Sequence, residues 1–141
     1  VDGYGVEVER TFFLGGVPKK AIKPFEVMFE ARALVYSMLE LGMIMSEIDQ
    51  KVRKFITEKG YGDYILHRTG HGLGITGHEA PFLAEGYDKP LEKNMVISVE
   101  PGIYIPGLGG FRHSDTVLIT EGGFQILTKA PETLEDVKIS L

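Results

Sequence analysis

Along residues 6–14 apolar and charged positions alternate, with Val6 and Val8 on one face and Glu7 and Glu9 on the other, until the run stops at Gly15-Gly16. A period of two predicts a strand from Val6 to Leu14. After Pro24 the period lengthens. Val27, Ala31, Leu34, Met38 and Leu41 recur every three or four residues, which predicts an amphipathic helix from about Phe25 to Leu41, ended by Gly42. A second helix follows, with Ser46 as its cap and Glu47 and Asp49 in its first turn. Ile48, Val52, Phe55 and Ile56 share one face of it, Lys59 stands near its end and Gly60 stops it. Both apolar stripes read as core, and the helix pair as scaffold.

Downstream the pattern turns to short strands. Met95 to Val99 is a compact apolar run of the kind covered on both sides, and it delivers Glu100 at its end. Ile103 to Ile105 predicts another strand, Pro106 to Gly110 a tight connection, and Phe111 to Ile119 a further strand reaching the Glu121-Gly122-Gly123 turn. Gln125 to Thr128 then pairs back as a hairpin. Two helices followed by several strands predict an α+β domain with helices packed on one face of a mostly antiparallel sheet. The 141 residues, without repeat or linker, fit one domain.

Composition narrows the function. The chain is 43% hydrophobic and 25% charged, ordinary for a globular protein. A formal charge of −5 and a pI of 5.4 exclude a nucleic-acid surface, which needs clustered cations. Lys19, Lys20 and Lys23 are too few to change that and read as a solvated loop. With no cysteine there is no disulfide, thiolate ligand or thiol nucleophile. No apolar run approaches the ~18 residues of a membrane span, and the first residues lack the regions of a signal peptide. The expectation is a cytoplasmic protein with neither nucleic-acid nor membrane partners.

The candidate chemistry lies in HRTGHGLGITGHEAP, where His67, His71 and His78 are threaded through Gly70, Gly72, Gly74 and Gly77. Imidazole titrates nearest neutrality and is the commonest protein metal ligand, so this segment suits metal binding or proton transfer. The alternative is a glycine-rich loop whose histidines only hydrogen-bond the backbone. Glu100, in SVEPGIY, is carried to the end of a buried strand, where an anion needs a cation, a metal or hydrogen bonds. Arg112, in GGFRHSD, suits either a bidentate grip on a substrate carboxylate or an ion pair with Asp115 or a glutamate.

Four motifs in order, GYGVEVERTF, HRTGHGLGITGHEAP, NMVISVEPGIYIPGLGG and FRHSDTVLITEGG, resemble the pita-bread metallopeptidases, the family of methionine aminopeptidase, aminopeptidase P, prolidase and the metal-free creatinase. His67, four residues before the family's metal-ligand histidine, most resembles the branch that cleaves bonds next to proline. The resemblance implies a partial pita-bread fold with a curved sheet, residues 1–141 being the C-terminal portion of the catalytic domain. It implies Mn, Co or Zn as cofactor, with His71 and Glu100 as ligands. His67 and His78 match outer histidines around the substrate and the proton-transfer step, and Arg112 matches an arginine that supports catalysis.

The sequence also departs from that pattern. Glu7 stands where the family has its second aspartate ligand, the first aspartate would lie upstream of residue 1, and Ser114 stands where a glutamate bridges two metals. A serine hydroxyl is neutral and bridges cations poorly, so the dinuclear centre is expected to be absent or weak. Three functions follow from the resemblance: an Xaa-Pro dipeptidase or aminopeptidase; a metal-independent, creatinase-like hydrolase with His71 as base and Glu100 orienting it; and a non-catalytic module gripping a peptide or small acid through His67, His78 and Arg112. A chain that opens inside a strand at Val1 should expose a sheet edge and apolar surface, and the expected assembly is a homo-oligomer.

Overall fold

The computed structural model describes residues 2–141, so the strand opening expected at Val1 lies outside the described residues. Ten short strands and two helices alternate along the chain: β1 (Val8–Glu9), β2 (Phe13–Leu14), α1 (Lys19–Tyr36), α2 (Met45–Glu58), β3 (Gly70–Gly72), β4 (Glu79–Leu83), β5 (Val96–Val99), β6 (Gly102–Ile105), β7 (Gly109–Arg112), β8 (Ser114–Thr120), β9 (Gly123–Ile126) and β10 (Lys138–Ile139). The main sheet runs β1-β8-β5-β3-β4, with β9 also on β8, and all its pairings are antiparallel. Two-stranded pieces, β6–β7 antiparallel and β10–β2 parallel, complete the α+β arrangement. Among the described residues no helix is long and apolar enough to cross a membrane.

The two faces of the sheet divide the labour. Ile97 and Val99 of β5 and Val117 and Ile119 of β8 join Val27, Met28, Ala31 and Val35 of α1 and Ile48, Val52 and Ile56 of α2 in one core. On the opposite face, cross-strand register aligns His71 with Ser98 and Ser98 with Thr116, while Glu9 faces Ser114. That polar row is where the histidine segment meets the N-terminal strand.

Several boundaries differ from the pattern-based expectation, each for a local reason. The single strand expected over 6–14 is two, β1 in the main sheet and β2 beside β10. Of its two alternating faces, Val6 and Val8 are exposed, at 67% and 45%, and Glu7 turns inward to a histidine and two serines. The first helix starts at Lys19, so Lys19, Lys20 and Lys23 are helical rather than loop, and Pro24 lies within it. As the sixth helical residue it gives up the N–H that would otherwise reach the Lys20 carbonyl. The helix ends at Tyr36, where the Ser37 hydroxyl donates to the Leu34 carbonyl. Ser46 does not cap the second helix: Ile44 holds the cap position, and the Ser46 hydroxyl bonds Asp88 instead. The strand expected from Phe111 to Ile119 is divided at His113 into β7 and β8, and the hairpin strand after Gly122 is Gly123–Ile126.

Candidate active site

His71 is the middle residue of β3, the strand hydrogen-bonded on both sides, to β5 and β4. Glycine on either side of it is a packing requirement: a Cβ on Gly70 would lie 2.2 Å from the Ser98 carbonyl oxygen, and one on Gly72 would lie 2.4 Å from that of Ala80. The glycines therefore admit neighbouring strands, not a substrate. The buried strand positions the imidazole rigidly.

Its Nδ1 lies 2.9 Å from the Gly72 carbonyl, which only a ring N–H can satisfy, so Nε2 points the other way. There it meets Glu100 Oε1 at 3.2 Å and Glu7 Oε2 at 3.5 Å, in ion-pair contact but aligned with neither for a hydrogen bond. Burial opposes the charge on the ring, yet Glu100 and then Glu7 overcome it and raise the His71 pKa to about 10. Glu7 is held down to about 2, chiefly by His71, against burial and with help from the Ser114 and Ser98 hydroxyls. Its Oε1 accepts from Ser98 Oγ at 2.6 Å and from Ser114 Oγ at 2.5 Å. Without a metal the cluster is an imidazolium between two carboxylates.

The same three side chains fit a divalent cation. Their ligand atoms lie within 4.8 Å of one another, Nε2 is buried without a hydrogen-bond partner, and one imidazole with two carboxylates is a donor set that Mn, Co or Zn accepts. Each expected ligand, Glu7, His71 and Glu100, is thus in the cluster. Arg112 stands at its edge. It grips Glu9 through Nε and Nη2, and its Nη1 is 3.6 Å from Glu100 Oε2; Asp115, one of its expected partners, is not on it. Asp115 instead faces the helices, where Arg10, Arg32, Tyr36 and Thr128 all donate to it.

The flanking histidines take separate places. The exposed His78 ring lies 4.2 Å from the His71 ring, centroid to centroid. His67 is held further along: its Nδ1 donates to the Arg68 carbonyl at 2.7 Å, which leaves Nε2 to accept from the Tyr104 hydroxyl at 2.6 Å. Burial pushes the Tyr104 phenol up while Arg112 pulls it down, so Tyr104 links His67 electrostatically to the arginine. Ser98, Glu9 and Tyr104 were not singled out by sequence reasoning as site residues. Ser98 was hidden inside an apolar run, and Tyr104 carried only the signal of an aromatic four residues after Glu100. A cleft of about 460 Å³ is walled by Val6, Leu73, Pro81, Val96, Thr116 and Leu127, and none of Glu7, His71 and Glu100 lines it.

Known proteins resemble this chain in sequence and fold. An Xaa-Pro dipeptidase of Pyrococcus furiosus is 42% identical over 131 residues, covering 93% of this chain and 38% of its own length. One of Lactobacillus delbrueckii subsp. lactis is 40% identical over 134 residues, covering 95% and 36%. The solved Xaa-Pro dipeptidase from Bacillus anthracis superposes with a TM-score of 0.91 at 40% identity, over 97% of this chain and 38% of that one. The prolidase from Pyrococcus furiosus gives 0.88 at 42%, over 92% and 38%. The chain therefore spans well under half the length of these relatives, and the pita-bread fold expected from its motifs is theirs. Residues 1–121 match metallopeptidase family M24, and the chain belongs to that family.

Proposed function

We propose that this protein hydrolyses peptide bonds next to proline, as an Xaa-Pro dipeptidase or aminopeptidase, at the Glu7–His71–Glu100 cluster. The observation that carries the reading is the convergence of these three ligand atoms on one face of the sheet, in a chain resembling Xaa-Pro dipeptidases. A divalent cation there supplies a Lewis acid and a water acidic enough to ionise near neutrality. Glu7, His71 and Glu100 would hold it. Binding requires His71 to give up the proton that the two carboxylates stabilise.

The remaining groups act on the substrate. His78, exposed beside His71, is placed to take and return a proton at the scissile bond. His67, held between the Arg68 carbonyl and the Tyr104 hydroxyl, acts as a positioning residue. Arg112 holds Glu100 from behind and keeps Glu9 out of the cluster. The proposed setting is the cytoplasm, and the proposed assembly a homo-oligomer that covers the exposed row of Val6, Val8, Phe12 and Leu14; a monodisperse monomer in light scattering contradicts the assembly. The activity is tested with the full-length protein and Mn or Co on matched Xaa-Pro and Xaa-Ala dipeptides. Selective release of proline supports it, and equal turnover of both series or of neither overturns it.

A further inference from the structure

We propose that this site takes a single divalent cation, through Glu7 Oε2, His71 Nε2 and Glu100 Oε1, with the Ser98 and Ser114 hydroxyls and the Arg112 guanidinium standing where a second cation would need anions. The inference rests on the cluster being the metal centre of the proposed hydrolase, and it departs from the two-metal pattern that the family resemblance implies.

The argument is a count of oxygens and charges. Each carboxylate has one oxygen already committed: Glu7 Oε1 accepts from both serines, and Glu100 Oε2 faces Arg112. The serines are fully buried with their hydroxyl oxygens 2.9 Å apart, both turned onto the same carboxylate oxygen. Among the described residues, what remains open is one oxygen from each glutamate and the orphaned Nε2, a three-atom set for one ion. One dication balances two carboxylates once His71 is neutral. Against these two carboxylates alone, a second dication would leave two positive charges unbalanced beside a guanidinium. Glu9, the remaining nearby carboxylate, is gripped by Arg112. Among the described residues no other group of three His or acidic side chains gathers.

The test is metal content of the full-length protein, stripped, reloaded with Mn(II) and dialysed. One ion per chain, with the hyperfine-split spectrum of an isolated Mn(II) in electron paramagnetic resonance, is the expected result whether or not the protein is active. Two ions with an exchange-coupled spectrum overturn the inference and leave the hydrolase reading standing. No bound ion overturns both. Ser114→Glu, if folded by circular dichroism, is expected to take up a second ion; a folded variant that stays at one overturns the role given to the serines. If that variant fails to fold, the wild-type stoichiometry alone decides.

Discussion

His113 offers a quantitative test of the packing between the sheet and the first helix. Its ring is fully buried and edge-on to Phe25 at 5.2 Å and Phe29 at 6.3 Å, with no hydrogen-bond partner for either nitrogen. Burial first, then Arg10 and Arg32, lower its pKa from 6.5 to about 4. Between those values the unfolded chain binds a proton that the folded protein refuses, so stability falls as pH falls through this window. A shift of that size corresponds to about 3 kcal/mol at 1.36 kcal/mol per pH unit. His113→Phe removes the titration. Its larger ring costs roughly 1–3 kcal/mol of overpacking, but equally at all pH values, so this cancels in the comparison. Urea unfolding followed by circular dichroism at about pH 7.5 and pH 4 should show the variant gaining about 3 kcal/mol on the wild type across the interval. Parallel pH profiles would refute the reasoning.

Other consequences are equally specific. Asp115→Asn removes the charge facing buried Arg10 and Arg32 and should cost about 3–5 kcal/mol in the same unfolding assay, whereas a loss under about 1 kcal/mol contradicts the network. Asp49, fully buried on the second helix, accepts from the Thr69 amide and hydroxyl, the Glu85 amide and Arg53, and so pins both ends of the β3–β4 hairpin. Asp49→Asn should destabilise by about 2–4 kcal/mol and speed amide exchange at Thr69 and Glu85; unchanged exchange there would count against the pinning. In the metal-free protein His71 contributes stability that is fully present below pH 6.5 and lost as pH rises through about 10, because its folded pKa is the higher one. Nitrogen NMR should report a doubly protonated His71 ring at neutral pH, and a neutral ring contradicts the electrostatics.

The hydrophobic pattern located both helices and the strands after Met95 because those elements bury one face against a common core, which is what periodicity records. Over residues 6–14 the site decides which face is inside: Glu7 is drawn inward by His71, Ser98 and Ser114 while Val6 and Val8 face out. Alternation gives the strand but not which side is inside. Three glycines and two histidines in the eight residues 67–74 carry no strand period, so β3 was invisible as a strand although it lies within the sheet. The motifs did bring Glu7, His71 and Glu100 to one cluster, as their family pattern implies. Ser98 and Tyr104 could not be read because their importance lies in what register and a turn place beside them, not in local sequence.

The central claim, that Glu7, His71 and Glu100 form the metal centre of a proline-directed peptidase, is tested most directly by proline release from an Xaa-Pro dipeptide. The full-length protein is assayed before and after chelation, alongside His71→Ala and Glu100→Gln. Chelation and either substitution should lower kcat/KM on the order of a thousandfold, with Mn or Co restoring the chelated wild type but not the variants. Turnover that survives chelation, or that persists in folded His71→Ala, would contradict the account.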